Sequence, residues 1–185
     1  MNFDRRKFIA AASLGVAGLL CGKNVYAQNG NDYALEKHIG NLLKAKKLTV
    51  ATAESCTGGL VASRLTDIDG ASAYVKGGVV SYTNEIKQNI LHVKPETLNM
   101  FGAVSSQTAK EMATNVRKIF SSSIGLSTTG LAGSSNEGKP SGLVYVCAVG
   151  ENFSEVKECH FQGSRTEIKA QAVEAVLKLL ADYVN

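Results

Sequence analysis

Runs of β-branched and small apolar residues alternate with segments of helical period, and this alternation constrains the fold more than any other feature of the sequence. The strand-like runs are 48–53, 77–82, 124–128, 143–149 and 155–161. Apolar residues at helical spacing cover 33–47, 105–120 and 165–184. Because strands interleaved with helices form layered sheets, we predict an α/β domain. Its sheet should be mixed, since the last two runs are adjacent and can pair as a hairpin.

Shorter elements are expected between these segments. Asn84 is predicted to cap a short helix that runs to Leu91, and Pro95 is predicted to open a further turn. Residues 60–65 can also be helical, whereas 129–140 are rich in turn-forming residues and should form a loop.

The first 27 residues have the composition of an export signal. Arg5 and Arg6 precede an uncharged stretch, 8–22, that is shorter than the ~20 apolar residues of a membrane-spanning helix. Small residues near Ala27 resemble a cleavage site. We therefore predict that 1–27 form a twin-arginine-type signal peptide, which exports the folded chain to the periplasm.

The leader is also compatible with two different roles, and each would change the localisation. It could be an uncut membrane anchor, or a lipoprotein signal at Cys21, although Leu20 is larger than such a signal requires. Without a functional leader the protein would be cytoplasmic. After cleavage a short segment, 28–32, should precede a single domain over 33–185, in which we find neither repeat nor linker.

Composition excludes several classes of protein. With 44% hydrophobic and 19% charged residues and only 2 prolines, the sequence is neither disordered nor collagenous. Most of the net charge of +4 comes from the leader, so the domain lacks the basic surface of a nucleic-acid-binding protein. Cys56, Cys147 and Cys159 form no disulfide framework, and the histidines are too scattered to indicate a metal site.

Two short patterns fit the beginning of known motifs but lack the rest. Residues 133–139 match a phosphate-binding loop, yet Pro140 occupies the position where Ser or Thr must hold magnesium, and a strand follows instead of a helix. Residues 154–157 match S-x-x-K of penicillin-binding proteins, yet they lie on a predicted strand without a K-T-G sequence downstream. We assign a function to neither.

The turn from Ala53 to Gly59 is a stronger candidate for a reactive site. It links a predicted strand to a predicted helix, a position that presents a hydroxyl or thiol away from the sheet. Ser55 and Cys56 supply those groups, and the N–H groups that follow can stabilise an oxyanion. Gly58 allows close approach of a substrate. Taken alone, the turn also fits a simple helix cap.

Six ordered motifs give the sequence a specific resemblance. They are A-E-S-C-T-G-G at 53–59, G-V-V-S-Y-T-N-E-I-K at 78–87, G-A-V-S at 102–105, T-G-L-A-G at 129–133, K-P-S-G-L-V at 139–144 and F-Q-G-S-R at 161–165. Over roughly 33–184 the sequence resembles the C-terminal domain of the competence/damage-inducible protein CinA, the nicotinamide-nucleotide amidase (PncC) family. The resemblance implies a three-layer α/β/α domain that hydrolyses nicotinamide mononucleotide to nicotinic acid mononucleotide and ammonia, without a metal or other cofactor.

The resemblance also implies a serine–lysine–tyrosine group, whose motif positions are Ser55, Lys87 and Tyr82. No histidine lies in the motifs, so Lys87 would be the base that takes the proton of Ser55. That role requires a pKa lowered by burial or by a neighbouring cation. Tyr82 would relay the proton or help to protonate departing ammonia. Without the resemblance, Lys87 fits a solvated helix residue and Tyr82 an aromatic at a strand end.

Five further motif positions are expected to contact substrate: Glu54, Thr57, Gly58, Thr129 and Arg165. Arg165 stands at a predicted helix start, where a guanidinium suits a phosphate; its alternative role is an ion pair with Glu167 or another carboxylate. Glu54 would either orient the site or recognise the ribose. Cys56 should pack as a small apolar group.

Two departures from the family pattern bear on function. Ser134 stands where many relatives have proline. The relatives are also cytoplasmic and often fused to another domain, whereas this sequence begins with a predicted export signal. Two alternatives to the amidase are therefore kept: an exported nucleotide-binding or accessory protein without turnover, and an amide hydrolase with a different substrate. As partners we expect a small nucleotide substrate and a homo-oligomer, with no nucleic acid and only transient membrane contact during export.

Overall fold

A mixed five-stranded sheet with helices on both faces is the framework of the described chain. The computed structural model describes residues 33–133 and 138–185, so the predicted leader lies outside the described residues. The strands are β1 (Val50–Glu54), β2 (Val75–Val80), β3 (Ile124–Gly130), β4 (Leu143–Val149) and β5 (Ser154–His160). The helices are α1 (Ala34–Ala45), α2 (Leu60–Thr66), α3 (Asn84–Asn89), α4 (Pro95–Phe101), α5 (Ser106–Ile119) and α6 (Arg165–Val184), with a 3₁₀ turn at Ala71–Ala73.

The sheet has the strand order β2-β1-β3-β4-β5. The interior strand β1, next to the edge strand β2, pairs in parallel with both β2 and β3. Antiparallel pairing joins β3 to β4 and β4 to β5. The last two strands therefore form the hairpin expected from the sequence, and the sheet is mixed.

The core consists of two apolar layers, one on each face of the sheet. On one face α1, α2 and α6 bury side chains such as Leu43, Leu65 and Leu177 completely. On the other face α4 and α5 bury Leu98 and Met112 against β1. Burying each such side chain stabilises the fold by about 1.5–3 kcal/mol. The domain has the three layers that the resemblance implied.

The carboxyl ends of β1, β2 and β3 meet at one edge of the sheet. Glu54, the last residue of β1, is in register with Val80 of β2 and with Thr128 of β3. β2 ends at Val80 and not at residue 82 as predicted, so Ser81 and Tyr82 lie beyond the strand. Side chains that follow parallel strands at this edge share one crevice.

The short helix α3 differs in its limits from the sequence-based prediction. Its N-cap is Thr83 and not Asn84, because Thr83 has an extended backbone and its hydroxyl accepts from the N–H of Ile86 at 3.3 Å. The helix ends at Asn89, before the predicted Leu91. Among the described residues, no helix combines the length and apolar character needed to cross a membrane.

Candidate active site

Ser55 is the first residue beyond the interior strand β1. Its N–H donates to the carbonyl of Thr128 at 3.0 Å, which continues the β1–β3 ladder by one step, and its carbonyl accepts from Gly58 N–H at 3.1 Å. Gly58 and Gly59 have φ of +65° and +99°, a region that favours glycine, and Gly59 caps α2. The chain therefore turns sharply after Ser55, whose side chain lies at the carboxyl edge of the sheet.

The Lys87 ammonium lies against the Ser55 hydroxyl. Nζ of Lys87 donates to Oγ of Ser55 at 3.0 Å and to the carbonyl of Ser81 at 2.7 Å. The side chain is only 1% exposed, and among residues 33–133 and 138–185 no carboxylate forms an ion pair with it. Burial lowers the pKa of Lys87 to about 8 because it disfavours the charged form. Burial is thus the source of the lowered pKa that a lysine base requires.

The Glu54 carboxylate holds the turn that carries Ser55. Its Oε2 accepts from the Thr57 hydroxyl at 2.7 Å, from Gly59 N–H at 2.9 Å and from Val61 N–H at 3.0 Å. Its Oε1 accepts from Ala62 N–H at 2.9 Å, so the carboxylate satisfies N–H groups in the first turn of α2. Glu54 is 1% exposed. Of the two roles predicted for it, this geometry suits orientation of the site.

Thr57 and Thr129 have their hydroxyl groups inside the protein. The Thr57 hydroxyl lies 2.7 Å from that of Thr128 and donates to Glu54, while the Thr129 hydroxyl donates to the Ala103 carbonyl at 2.7 Å. Both residues are at most 1% exposed. That Thr57 and Thr129 contact substrate stays a prediction: each hydroxyl donates inside the protein, which leaves it able to accept from a ligand.

The buried Cys56 thiol contrasts with its neighbour Ser55. Cys56 is 5% exposed and belongs to the apolar core, and burial raises its pKa to about 11. The thiol stays protonated near neutral pH and packs as the small apolar group expected. The N–H groups of Cys56 and Thr57 donate to no oxygen of the described residues. They directly follow Ser55 in the strand-to-helix turn, the position from which N–H groups bind an oxyanion in sites of this kind.

Tyr82 and Arg165 form the exposed rim of the site. Tyr82 is 57% exposed and follows Ser81, whose carbonyl accepts from Lys87. The Arg165 guanidinium, at the start of α6, donates to the Tyr82 hydroxyl. The alternative ion pair with Glu167 is not formed, because the Glu167 carboxylate accepts from the N–H and hydroxyl of Ser164 in a capping box, each at 2.7 Å.

The structure brings most of the predicted site residues together. Ser55, Lys87 and the turn at Gly58 form the floor, Glu54 lies beneath them, and Tyr82 and Arg165 form the rim. Sequence reasoning missed the Ser81 carbonyl as the second acceptor of Lys87, because a main-chain group leaves no signal in a sequence. Within the part of the chain that the structure describes, no three His, Cys, Asp or Glu side chains cluster as a metal site.

These observations define an α/β domain with a buried serine–lysine pair at the carboxyl end of the interior parallel strand β1. The CinA C-terminal domain family matches residues 32–184, and the chain belongs to this family. The resemblance stated from the sequence is thereby confirmed.

Relatives and solved structures agree with this membership. A competence-damage inducible protein of Desulforamulus reducens is 48% identical over 156 residues, which cover 84% of this chain and 38% of the relative. A CinA-like protein of a Sulfurihydrogenibium species is 41% identical, over 88% of this chain and 41% of that protein. This chain thus spans about two fifths of the length of these relatives.

The crystal structure of the competence/damage inducible protein CihA from Agrobacterium tumefaciens matches the fold with a TM-score of 0.81. It is 38% identical, and the match covers 85% of this chain and 98% of that one. A CinA superfamily protein from Klebsiella pneumoniae gives a TM-score of 0.80 at 31% identity, over 85% and 98% of the two chains. The α/β fold is therefore that of CinA superfamily structures.

Proposed function

We propose that this protein is a nicotinamide-nucleotide amidase, which hydrolyses nicotinamide mononucleotide to nicotinic acid mononucleotide and ammonia. The observation that supports it most is the buried contact of 3.0 Å between Lys87 Nζ and Ser55 Oγ. A lysine with a pKa of about 8 is roughly one tenth neutral at pH 7, so a base is present under physiological conditions.

In the proposed reaction Ser55 is the nucleophile and Lys87 the base. Neutral Lys87 takes the proton of Ser55 Oγ as that oxygen attacks the carboxamide carbon. The N–H groups of Cys56 and Thr57 stabilise the oxyanion of the tetrahedral intermediate. The carbon–nitrogen bond then breaks, and the nitrogen receives the proton from Lys87 with the help of Tyr82, so ammonia leaves.

The second half of the reaction releases the acid. Lys87, neutral again, takes a proton from a water molecule that attacks the Ser55 ester. The ester bond breaks and Lys87 returns that proton to Ser55 Oγ. The product acid loses its remaining proton to solvent, and nicotinic acid mononucleotide leaves as a carboxylate. Neither half of the reaction changes an oxidation state.

Ammonia release from nicotinamide mononucleotide by the purified protein tests the proposal. Ser55→Ala and Lys87→Ala should each lower kcat by about 10³-fold or more, because each removes a reacting group. The double variant should be little worse than either, since the pair acts as a unit. Ser154→Ala and Lys157→Ala are matched controls, because they change the same residue types on β5.

Three results would count against the proposal. Nucleotide binding without ammonia release would favour the accessory protein, and turnover confined to other amides would favour the different hydrolase. Full activity of Ser55→Ala would contradict the mechanism itself. Circular dichroism of each variant separates a chemical effect from loss of the fold.

A further inference from the structure

A second cation of α6 reaches the turn that carries Ser55. Nζ of Lys169 lies 3.7 Å from the point that a Cβ on Gly58 would occupy. Gly58 is itself exposed, so this ammonium lies at an open surface of the turn. Nothing in the sequence motifs indicated this contact, since Lys169 fits the polar positions of an ordinary helix.

Lys169 lies on the same face of α6 as Arg165. The two residues are four positions apart, which makes them neighbours on a helix surface. Nη1 of Arg165 lies 3.0 Å from the point that a Cβ on Gly133 would occupy. The two cations thus each face a glycine, where the absence of a side chain leaves room for a ligand.

No carboxylate neutralises this pair of cations in the described part of the chain. Arg64, Lys157 and Lys178 all form ion pairs with acidic side chains, whereas Arg165 and Lys169 form none with residues 33–133 and 138–185. Acidic residues near the two cations are otherwise engaged, and Glu174 of α6 pairs with Arg64 and Lys178. Glu167 caps the helix through Ser164, and Glu54 is buried with both oxygens bonded. Two adjacent cations that no acidic residue of the described ranges neutralises are suited to a dianion.

We infer that Lys169 and Arg165 together bind the phosphate of the substrate, with Lys169 as the specificity-determining residue beside Ser55. The inference rests on the proposed function in that it takes the ligand to be a mononucleotide. Lys169 binds a phosphate oxygen on the Gly58 side, and Arg165 binds on the Gly133 side. The phosphate is thereby fixed relative to the turn that holds the nucleophile.

Binding to the Ser55→Ala protein tests this inference without turnover. The ligands are nicotinamide mononucleotide, its riboside and inorganic phosphate, each titrated by calorimetry. Lys169→Ala should weaken nucleotide binding by about tenfold, the effect of losing one charge-assisted contact, and leave riboside binding unchanged. Lys169→Arg should retain nucleotide binding. Lys178→Ala is the matched control, because Lys178 lies on the same helix and pairs with Glu174.

The outcomes separate this inference from the proposed function. If Lys169→Ala binds the nucleotide as tightly as its parent, or weakens nucleotide and riboside equally, the inference is overturned even where ammonia release is normal. If no amide is hydrolysed but Lys169→Ala weakens the binding of phosphorylated ligands alone, the inference is supported and the proposed reaction is contradicted. Inorganic phosphate should also compete with the nucleotide for binding. Weaker competition in Lys169→Ala would support the anion site directly.

Discussion

The charge of the buried Lys87 should cost the folded protein stability in a way that depends on pH. Burial lowers the pKa of Lys87 from its ordinary 10.5 to about 8. Each pKa unit corresponds to about 1.4 kcal/mol, so the protonated lysine destabilises the fold by about 3 kcal/mol at pH 7. Between pH 8 and 10.5 the unfolded chain binds more protons than the folded one, so stability rises with pH through this window.

Replacing Lys87 by Met removes the charge and keeps most of the aliphatic volume. At pH 7 the free energy of unfolding should rise by about 1–3 kcal/mol, the lower values applying if the lost hydrogen bonds to Ser55 and Ser81 each cost about 1 kcal/mol. Activity should be lost, as expected where a strained site trades stability for function.

Urea unfolding followed by circular dichroism at pH 7, 8 and 9 measures the effect. From pH 7 to 9 the wild-type protein should gain about 1 kcal/mol relative to Lys87→Met. The raised pKa of the buried Cys147 thiol opposes this trend above about pH 9, but both proteins contain it and its effect cancels. The Cys56 thiol interacts with Lys87, so the comparison is made with Cys56→Ala in both proteins. Lys157→Met, at a lysine whose side chain is 42% exposed, is the control. A stability difference between wild type and Lys87→Met that is constant with pH would refute the reasoning.

Three further predictions concern the turn, the thiol and the leader. Glu54→Gln should destabilise the protein by about 1–3 kcal/mol, because an amide cannot accept all four hydrogen bonds. The same change should lower kcat more than it raises KM. A direct contact between Glu54 and the substrate would instead change mainly KM. Cys56→Ala should retain activity within about threefold, because a protonated buried thiol is no nucleophile; abolished activity with an intact fold would contradict this. Replacing Arg5 and Arg6 together by lysine should leave unprocessed protein in the cytoplasm, and normal periplasmic delivery in cell fractionation would disprove the twin-arginine proposal.

The elements with strong local patterns could be predicted from the sequence. β4 and α6 have the predicted limits, since alternating β-branched residues and a helical apolar period are local signals. The partnership of Ser55 with Lys87 had no such signal. The two residues are 32 positions apart and meet only because β1 and β2 pair in parallel, so motif resemblance alone connected them.

Side-chain direction at the site was the least predictable feature. The hydroxyls of Thr57 and Thr129 lie in polar motifs that suggest ligand contact, yet each is used by a neighbouring internal acceptor. Lys169 occupies an unremarkable helix position and reaches the site only through the packing of α6 beside α2. Such contacts depend on tertiary packing, which no local pattern specifies.

The position of β2 at one edge of the sheet ties the reactivity of the site to a strand that has a single partner. In the described sheet β2 pairs with β1 alone, and Ser81 and the helix with Lys87 follow it directly. Edge elements open locally at a lower free-energy cost than central ones. Fraying of β2 and α3 would separate the ammonium from the serine while β1, β3, β4 and β5 remain assembled. Mild heat or denaturant should therefore abolish catalytic activity before the circular-dichroism signal of the helices is lost.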